Sequence, residues 1–90
     1  MVRSELMNLL RVRMPELGSD RIEQSVMAIL GAMTHSLTGG GRIEIRDFGS
    51  FAPHLREARI GRNPKTGEAV SVPPKVVVRF KAGKGLRERL

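Results

Sequence analysis

The chain has 90 residues, a formal net charge of +7 and no cysteine, and aromatic residues make up only 3% of it. Its length corresponds to one domain, and the absence of cysteine excludes both a disulfide and a thiolate zinc site. A chain this short builds only a marginal hydrophobic core, so oligomerisation is the expected route to stability. We therefore expect a dimer.

The positive charge is confined to the second half of the sequence. Acidic and basic residues cancel over residues 1–40, and residues 41–90 hold the whole excess. Such asymmetry indicates a polyanionic partner, although a solvated basic surface is the simpler alternative. No apolar run reaches the roughly 18 residues of a membrane span, and residues 1–5 turn polar without the apolar segment of a signal peptide. We expect a cytoplasmic protein with no membrane partner.

Two segments of the first half repeat apolar residues at helical spacing. The first predicted helix covers residues 4–14, with Ser4 as its cap and Pro15 as its end. The second begins with Ser19 or Asp20 as its cap and ends at a run of three glycines. The short connection predicts antiparallel helices. The apolar stripe of the second helix consists of Ile22, Val26, Ile29, Leu30, Met33 and Leu37.

The hydrophobic period changes to two after the glycines, which predicts strands. Isoleucines alternate with charged residues over 42–46, and residues 47–49 form a predicted turn. A second strand begins at Ser50, and a third covers the β-branched segment 76–80. Residues 83–90 predict a short terminal helix.

A long two-stranded ribbon is predicted over residues 53–75, with turn chemistry at Asn63–Gly67. Each limb of about ten residues would reach about 33 Å. An isolated ribbon is marginal in water, so this arm calls for an external partner. Its cations suit a groove whose two walls carry phosphates. Pro64 at the tip has a rigid apolar ring without an N–H, so it could wedge between base pairs or serve only as a turn residue.

Three motifs resemble those of the bacterial histone-like DNA-bending family, which contains HU and integration host factor. Residues 47–51 (Asp-Phe-Gly-Ser-Phe) look like its Gly-Phe-Gly-Ser/Thr-Phe motif, and residues 61–67 (Gly-Arg-Asn-Pro-Lys-Thr-Gly) match its arm tip. Residues 80–84 (Phe-Lys-Ala-Gly-Lys) match its closing junction between strand and helix. The resemblance covers essentially the whole chain. Within the family, residues 42–46 resemble the beta subunits of integration host factor more than HU.

The resemblance implies an α+β subunit within one 90-residue domain. Residues 1–38 would form two N-terminal helices that serve dimerisation. Residues 42–82 would form a three-stranded antiparallel sheet with a long protruding β-ribbon arm at about 53–75. Residues 83–90 would form a short C-terminal helix. Two such chains would intertwine, and their arms would embrace one double-stranded DNA.

The resemblance also implies roles for individual residues. Pro64 would intercalate from the minor groove and kink the duplex, a mechanism that we take from the family resemblance. Such bending would serve recombination, transcription and nucleoid organisation. Phe48, Phe51 and Phe80 would pack in the dimer core. The residues expected to contact DNA are Glu44, Arg46, Arg56, Arg59, Arg62, Asn63, Pro64, Lys65, Lys75, Arg79, Lys81 and Lys84.

Asp47 departs from the family pattern, which usually has glycine there. Aspartate tolerates a positive φ better than most residues, so we expect the turn to survive. Its carboxylate could compete for Arg46, which the resemblance pairs with Glu44, or repel phosphate.

Other functional classes find little support. His35 and His54 have no accompanying ligand pattern, so neither a metal nor another cofactor is expected. No nucleophile–base set or small-molecule site is evident, so we expect no enzyme. The alternatives that stay open are a non-specific HU-like nucleoid protein and a basic RNA-binding protein, the latter disfavoured because RNA's deep groove would not admit the arms. The dimer partner could be an identical chain or a related alpha subunit.

Overall fold

The computed structural model describes all 90 residues. In chain order the elements are α1 Arg3–Arg13, α2 Ser19–Thr38, β1 Ile43–Ile45, β2 Gly49–Arg56, β3 Arg59–Arg62, β4 Ala69–Val72, β5 Lys75–Ala82 and α3 Lys84–Arg89. The chain divides into two compact units, Met1–His35 and Ser36–Leu90. This is the predicted α+β element order, with two helices, then strands, then a short helix. None of the helices has the length and apolarity that crossing a membrane requires.

Both helices of the first unit begin earlier than the predicted caps allow, since α1 begins at Arg3 and α2 begins at Ser19 itself. The N-cap of α1 is Val2, whose carbonyl accepts a 3.1 Å hydrogen bond from the Leu6 amide, so Ser4 lies inside the helix. Ser19 is already helical, and its hydroxyl accepts a 2.8 Å hydrogen bond from Arg11 Nε. The predicted caps were therefore wrong, because a side-chain acceptor near a helix start does not determine at which residue the helical backbone begins.

The core of the first unit is very small. Met7, Ile22 and Val26 are its only buried side chains, and Leu10 and Leu17 pack against them half-buried. The predicted apolar stripe of α2 is therefore only partly covered, since Ile29 in the middle of that helix is 60% exposed. Three buried side chains are too few for a chain of this size to fold stably by itself.

The second unit contains the predicted three-stranded antiparallel sheet, with strand order β1-β2-β5. Asp47 occupies the third position of the turn between β1 and β2 with φ 62°, and it is the one non-glycine residue with a positive φ. The Phe48 amide closes this turn with a 3.0 Å hydrogen bond to the Ile45 carbonyl. The expectation that aspartate preserves the turn is confirmed.

The turn at residues 47–49 also anchors α3. The Gly83 amide donates to the Phe48 carbonyl at 2.8 Å, and the Leu86 amide donates to the Asp47 carbonyl at 2.9 Å. Gly49 packs closely as well, because a Cβ there would lie 2.5 Å from Cζ of Phe80. The first turn of α3 is thus held at the end of the sheet where β1 turns into β2.

The arm is not the single continuous ribbon that the sequence predicted. Pairing between β2 and β5 ends at Arg56 opposite Lys75, and pairing between β3 and β4 resumes at Arg59 opposite Val72. The break contains residues 57–58 on one limb and 73–74 on the other. Pro73 and Pro74 have no N–H to donate, so they cannot continue the ladder. The arm therefore consists of an inner ribbon and an outer hairpin, residues 59–72.

Candidate nucleic-acid interface

Strand register gives the sheet one basic face. Directly paired residues in an antiparallel sheet point to the same side. Glu44, Ser50 and Lys81 therefore form one row across β1, β2 and β5. Arg79 lies opposite Ala52 two residues further along, and Arg56 lies opposite Lys75 at the end of the inner ribbon. This face, which we call the basic face, thus carries cations from the body of the sheet out to the arm.

The opposite face is apolar and largely uncovered. Its rows include Ile43–Phe51–Phe80, Pro53–Val78 and Leu55–Val76. The Phe80 ring lies between two other phenylalanines, with centroid distances of 4.8 Å to Phe51 and 5.7 Å to Phe48. Phe48 and Phe80 nevertheless remain 46% and 45% exposed. The three phenylalanines form one cluster whose outer surface is free for a partner.

The base of the basic face is an open concavity of about 670 Å³. Its charged lining comprises Arg42, Glu44, Arg46, Asp47, Lys81 and Arg87. Glu44 pairs with Arg42, at 3.7 Å between Oε1 and the guanidinium, and both side chains are well exposed. The pair that the resemblance implied, Glu44 with Arg46, is not formed. Asp47 forms no ion pair with Arg46 either, so both Arg46 and Lys81 are available to an external anion.

Sequence reasoning missed two members of this concavity. Arg42 belongs to the alternation of Arg42, Glu44 and Arg46 along β1 and the residues on either side of it, which already indicated one shared face. Arg87 follows Lys84 at helical spacing on α3, a weaker signal. Lys84 itself faces a different concavity beside Asp47 and Arg89, and it lies 3.9 Å from Glu88. The cations of α3 therefore point in more than one direction.

The outer hairpin has its own two faces. Arg59, Gly61, Val70 and Val72 share one side, and Ile60, Arg62, Ala69 and Ser71 share the other. Arg59 and Arg62 thus point to opposite sides, as suits a strand lying between two walls of phosphates. Pro64 and Lys65 are exposed at the very tip. No bulky neighbour shields the proline ring from a partner.

The tip turn is closed by hydrogen bonds within the chain. The Gly67 amide donates to the Asn63 carbonyl at 2.7 Å, and the Asn63 amide donates to the Glu68 carbonyl at 2.9 Å. Gly67 has φ 74°, as the turn chemistry predicted. Two side chains also take part: Asn63 Oδ1 accepts from the Lys65 amide at 2.9 Å, and Arg62 donates to the Gly67 carbonyl at 3.0 Å.

The structure combines an exposed basic face, an uncovered apolar face and a protruding arm, which is the architecture of a DNA-binding subunit. Comparison with known sequences leads to the same class of protein. The chain matches the family described as bacterial DNA-binding protein over residues 1–90. It therefore belongs to that family, whose members are DNA-binding proteins and not a group of enzymes.

Within this family, individual relatives show which members the chain resembles. The chain is 54% identical to integration host factor subunit beta of Nitrosospira multiformis, over all of this chain and 96% of the relative. It is 52% identical to integration host factor subunit beta of Xylella fastidiosa strain M23, over all of this chain and 86% of the relative. Among solved structures, the HU–DNA cocrystal structure from Anabaena matches with a TM-score of 0.87 and 31% identity, covering 99% of this chain and 96% of that one.

Proposed function

We propose that this protein is an architectural DNA-binding subunit that grips duplex DNA through the minor groove with its arm and bends it. The observation that carries the proposal is the strand register. It places Arg79, Lys81 and the Arg56–Lys75 pair on one face that leads directly into the arm. The Anabaena relative was crystallised as an HU–DNA complex, which supports the same use of this fold.

The apolar face supports a dimer. The first unit buries only three side chains, and the phenylalanine cluster and Ile29 remain exposed. Burial of apolar surface contributes about 25 cal/mol per Å² to the free energy of folding. The single chain lacks this contribution because its apolar face stays exposed. A second subunit covering this face, with Phe48, Phe51 and Phe80 in the shared core, supplies it. An identical chain and a related alpha subunit both fit this description.

The position of each polar residue in the structure determines which part of the DNA it would contact. Arg56, Arg59, Lys75, Arg79, Lys81 and Lys84 would hold phosphates, which fixes position but reads no sequence. Glu44 and Arg46 would approach base edges from the concavity. Arg62, Asn63 and Lys65 would enter the minor groove beside Pro64, whose ring would hold a base step open. No catalytic step is proposed, and the site of action would be the nucleoid in the bacterial cytoplasm.

Pro64→Ala tests the wedge. Smooth bending of a site of 20 to 30 base pairs costs on the order of 1 to 6 kcal/mol, whereas a kink concentrates the deformation at one step. Pro64 is the one apolar side chain at the exposed tip, so its removal should reduce bending without removing a phosphate contact. The measurement is the end-to-end distance of a doubly labelled duplex by fluorescence energy transfer, together with the salt dependence of affinity.

We expect a longer end-to-end distance for Pro64→Ala with a nearly unchanged salt dependence. Pro15→Ala, the same chemical change in the connection between α1 and α2, is the matched control and should bend DNA as the parent does. A Pro64→Ala complex as compact as that of the parent would show that Pro64 is only a turn residue. A competition titration in which RNA displaces duplex DNA at equal concentration would contradict the DNA assignment itself.

A further inference from the structure

We propose that His54 is a further DNA-contact residue, which binds a backbone phosphate as the charged imidazolium and so couples DNA affinity to proton uptake. The inference rests on the proposed function and deepens it, because it adds to the basic face a side chain that sequence reasoning had considered only as a metal ligand. The structure places His54 among the cations that lead into the arm.

Strand register puts the His54 side chain on the basic face. His54 on β2 pairs directly with Val77 on β5, in the row between that of Arg79 and the row that pairs Arg56 with Lys75. Directly paired residues point to the same side of an antiparallel sheet, and residues two apart along a strand share a side. The ring therefore lies between two rows that are proposed to hold phosphates.

The charged neighbours of His54 within this ladder are all cations. Arg56 lies two residues further along β2, and Lys75 and Arg79 are the diagonal neighbours on β5, at about 7–8 Å. Arg56 and Lys75 also stand directly opposite each other, and like charges in such positions destabilise a sheet. An anion lying over this face, such as a DNA phosphate, would relieve that repulsion.

No acidic side chain is placed to occupy the ring instead. Glu44 shares the face, but its row is four residues from His54 along β2, a distance of about 13 Å. Glu57 follows Arg56 and lies outside the paired ladder. Val77 is apolar, and the ring has no ion-pair partner within the chain. Since His54 is only half-buried, its ring is available to an external acceptor.

Histidine differs from the other members of the basic face because its charge changes between about pH 5 and 8. A phosphate within about 4–6 Å stabilises the imidazolium relative to the neutral ring. The DNA complex then holds more protons than the free protein near neutral pH, so affinity must increase as the pH falls. Each His54 that binds phosphate should raise affinity by up to about tenfold between about pH 8 and 5.5. It should also steepen the salt dependence by about 0.9 at the lower pH.

The test is a titration of a labelled random-sequence duplex with the intact dimer between about pH 8 and 5.5, at several salt concentrations. His54→Gln keeps a polar side chain that cannot become charged, whereas His54→Lys carries a charge over this whole range. We expect the parent to bind more tightly at low pH and His54→Gln to lose most of that increase. His54→Lys should bind with little dependence on pH. Calorimetry in two buffers of different ionisation heat should detect proton uptake by the parent and less by His54→Gln.

His35→Gln is the matched control, because His35 lies in the last turn of α2 and outside the basic face. This variant should keep the pH dependence of the parent. The proposal is overturned if the parent binds DNA equally well across this pH range, or if His54→Gln retains the parent's pH dependence and proton uptake. Equal losses in His54→Gln and His35→Gln would also overturn it. Absence of DNA binding at every pH would contradict the proposed function, and this inference with it, whereas pH-independent binding would contradict this inference alone.

Discussion

Replacing Arg79 by glutamine tests whether the basic face follows the DNA backbone. Six exposed cations outside the tip are proposed phosphate contacts: Arg56, Arg59, Lys75, Arg79, Lys81 and Lys84. Each neutralised phosphate contributes about −0.9 to the slope of log K against log salt, so a dimer with two such faces should show a slope of about −11. Arg79→Gln in both subunits should reduce this slope in magnitude by about 2. Between about 50 and 200 mM salt, the variant should therefore lose roughly tenfold less affinity than the parent.

The assay is a titration of a labelled random-sequence duplex at several salt concentrations. Arg13→Gln is the matched control, because Arg13 is an exposed arginine in the last turn of α1 and lies outside the proposed interface. It removes the same charge but should leave the slope near that of the parent. Equal slopes for Arg79→Gln and Arg13→Gln would mean that the protein attracts DNA only through its net charge, and the argument from strand register would fail.

Four further outcomes follow from the same geometry. Arg46→Ala should reduce the preference for a cognate site over random DNA more than it reduces random binding, and equal losses in competitive titrations would assign Arg46 to phosphate. Asp47→Gly should strengthen binding to the cognate site and to random DNA alike, because it removes a carboxylate from the basic concavity and breaks no ion pair with Arg46. A change in affinity confined to the cognate site would contradict this prediction. Gly49→Ala should destabilise the dimer by about 1–3 kcal/mol in urea unfolding, since the alanine Cβ would clash with the Phe80 ring. Unchanged stability would disprove the close packing of Gly49 against Phe80. Dilution of the parent should lower its Tm because the core is completed by a partner, whereas a concentration-independent Tm would indicate a stable monomer.

The parts of the fold that sequence predicted are those determined by local chemistry. The period-two alternation on β1 and the glycine at position 67 each act within a few residues, and the structure has them as predicted. Asp47 is the clearest case, because its tolerance of positive φ is a property of the side chain itself. Helix caps were less predictable, since Ser4 and Ser19 both have suitable side chains but both lie inside the helices and do not cap them.

Side-chain partners were the part that sequence could not supply. Alternation placed Glu44 between two arginines but could not show that it pairs with Arg42 and not with Arg46. The proline pair in the second limb of the arm was visible, and its missing amides were a sufficient reason to expect the break in pairing. The role of Asn63 in the turn needed coordinates, because a groove-lining and a turn-stabilising asparagine have the same sequence signature.

The break in the arm makes the outer hairpin a separable module. Residues 59–72 share no ladder hydrogen bond with the sheet, and each limb reaches them through two unpaired residues. We therefore expect that the hairpin can be exchanged for that of another family member without disturbing the register of β2 against β5. A chimaera made in this way would keep the phosphate contacts of the sheet and acquire a foreign tip. Substitutions in the outer hairpin should likewise alter groove insertion without altering the pairing of β2 with β5.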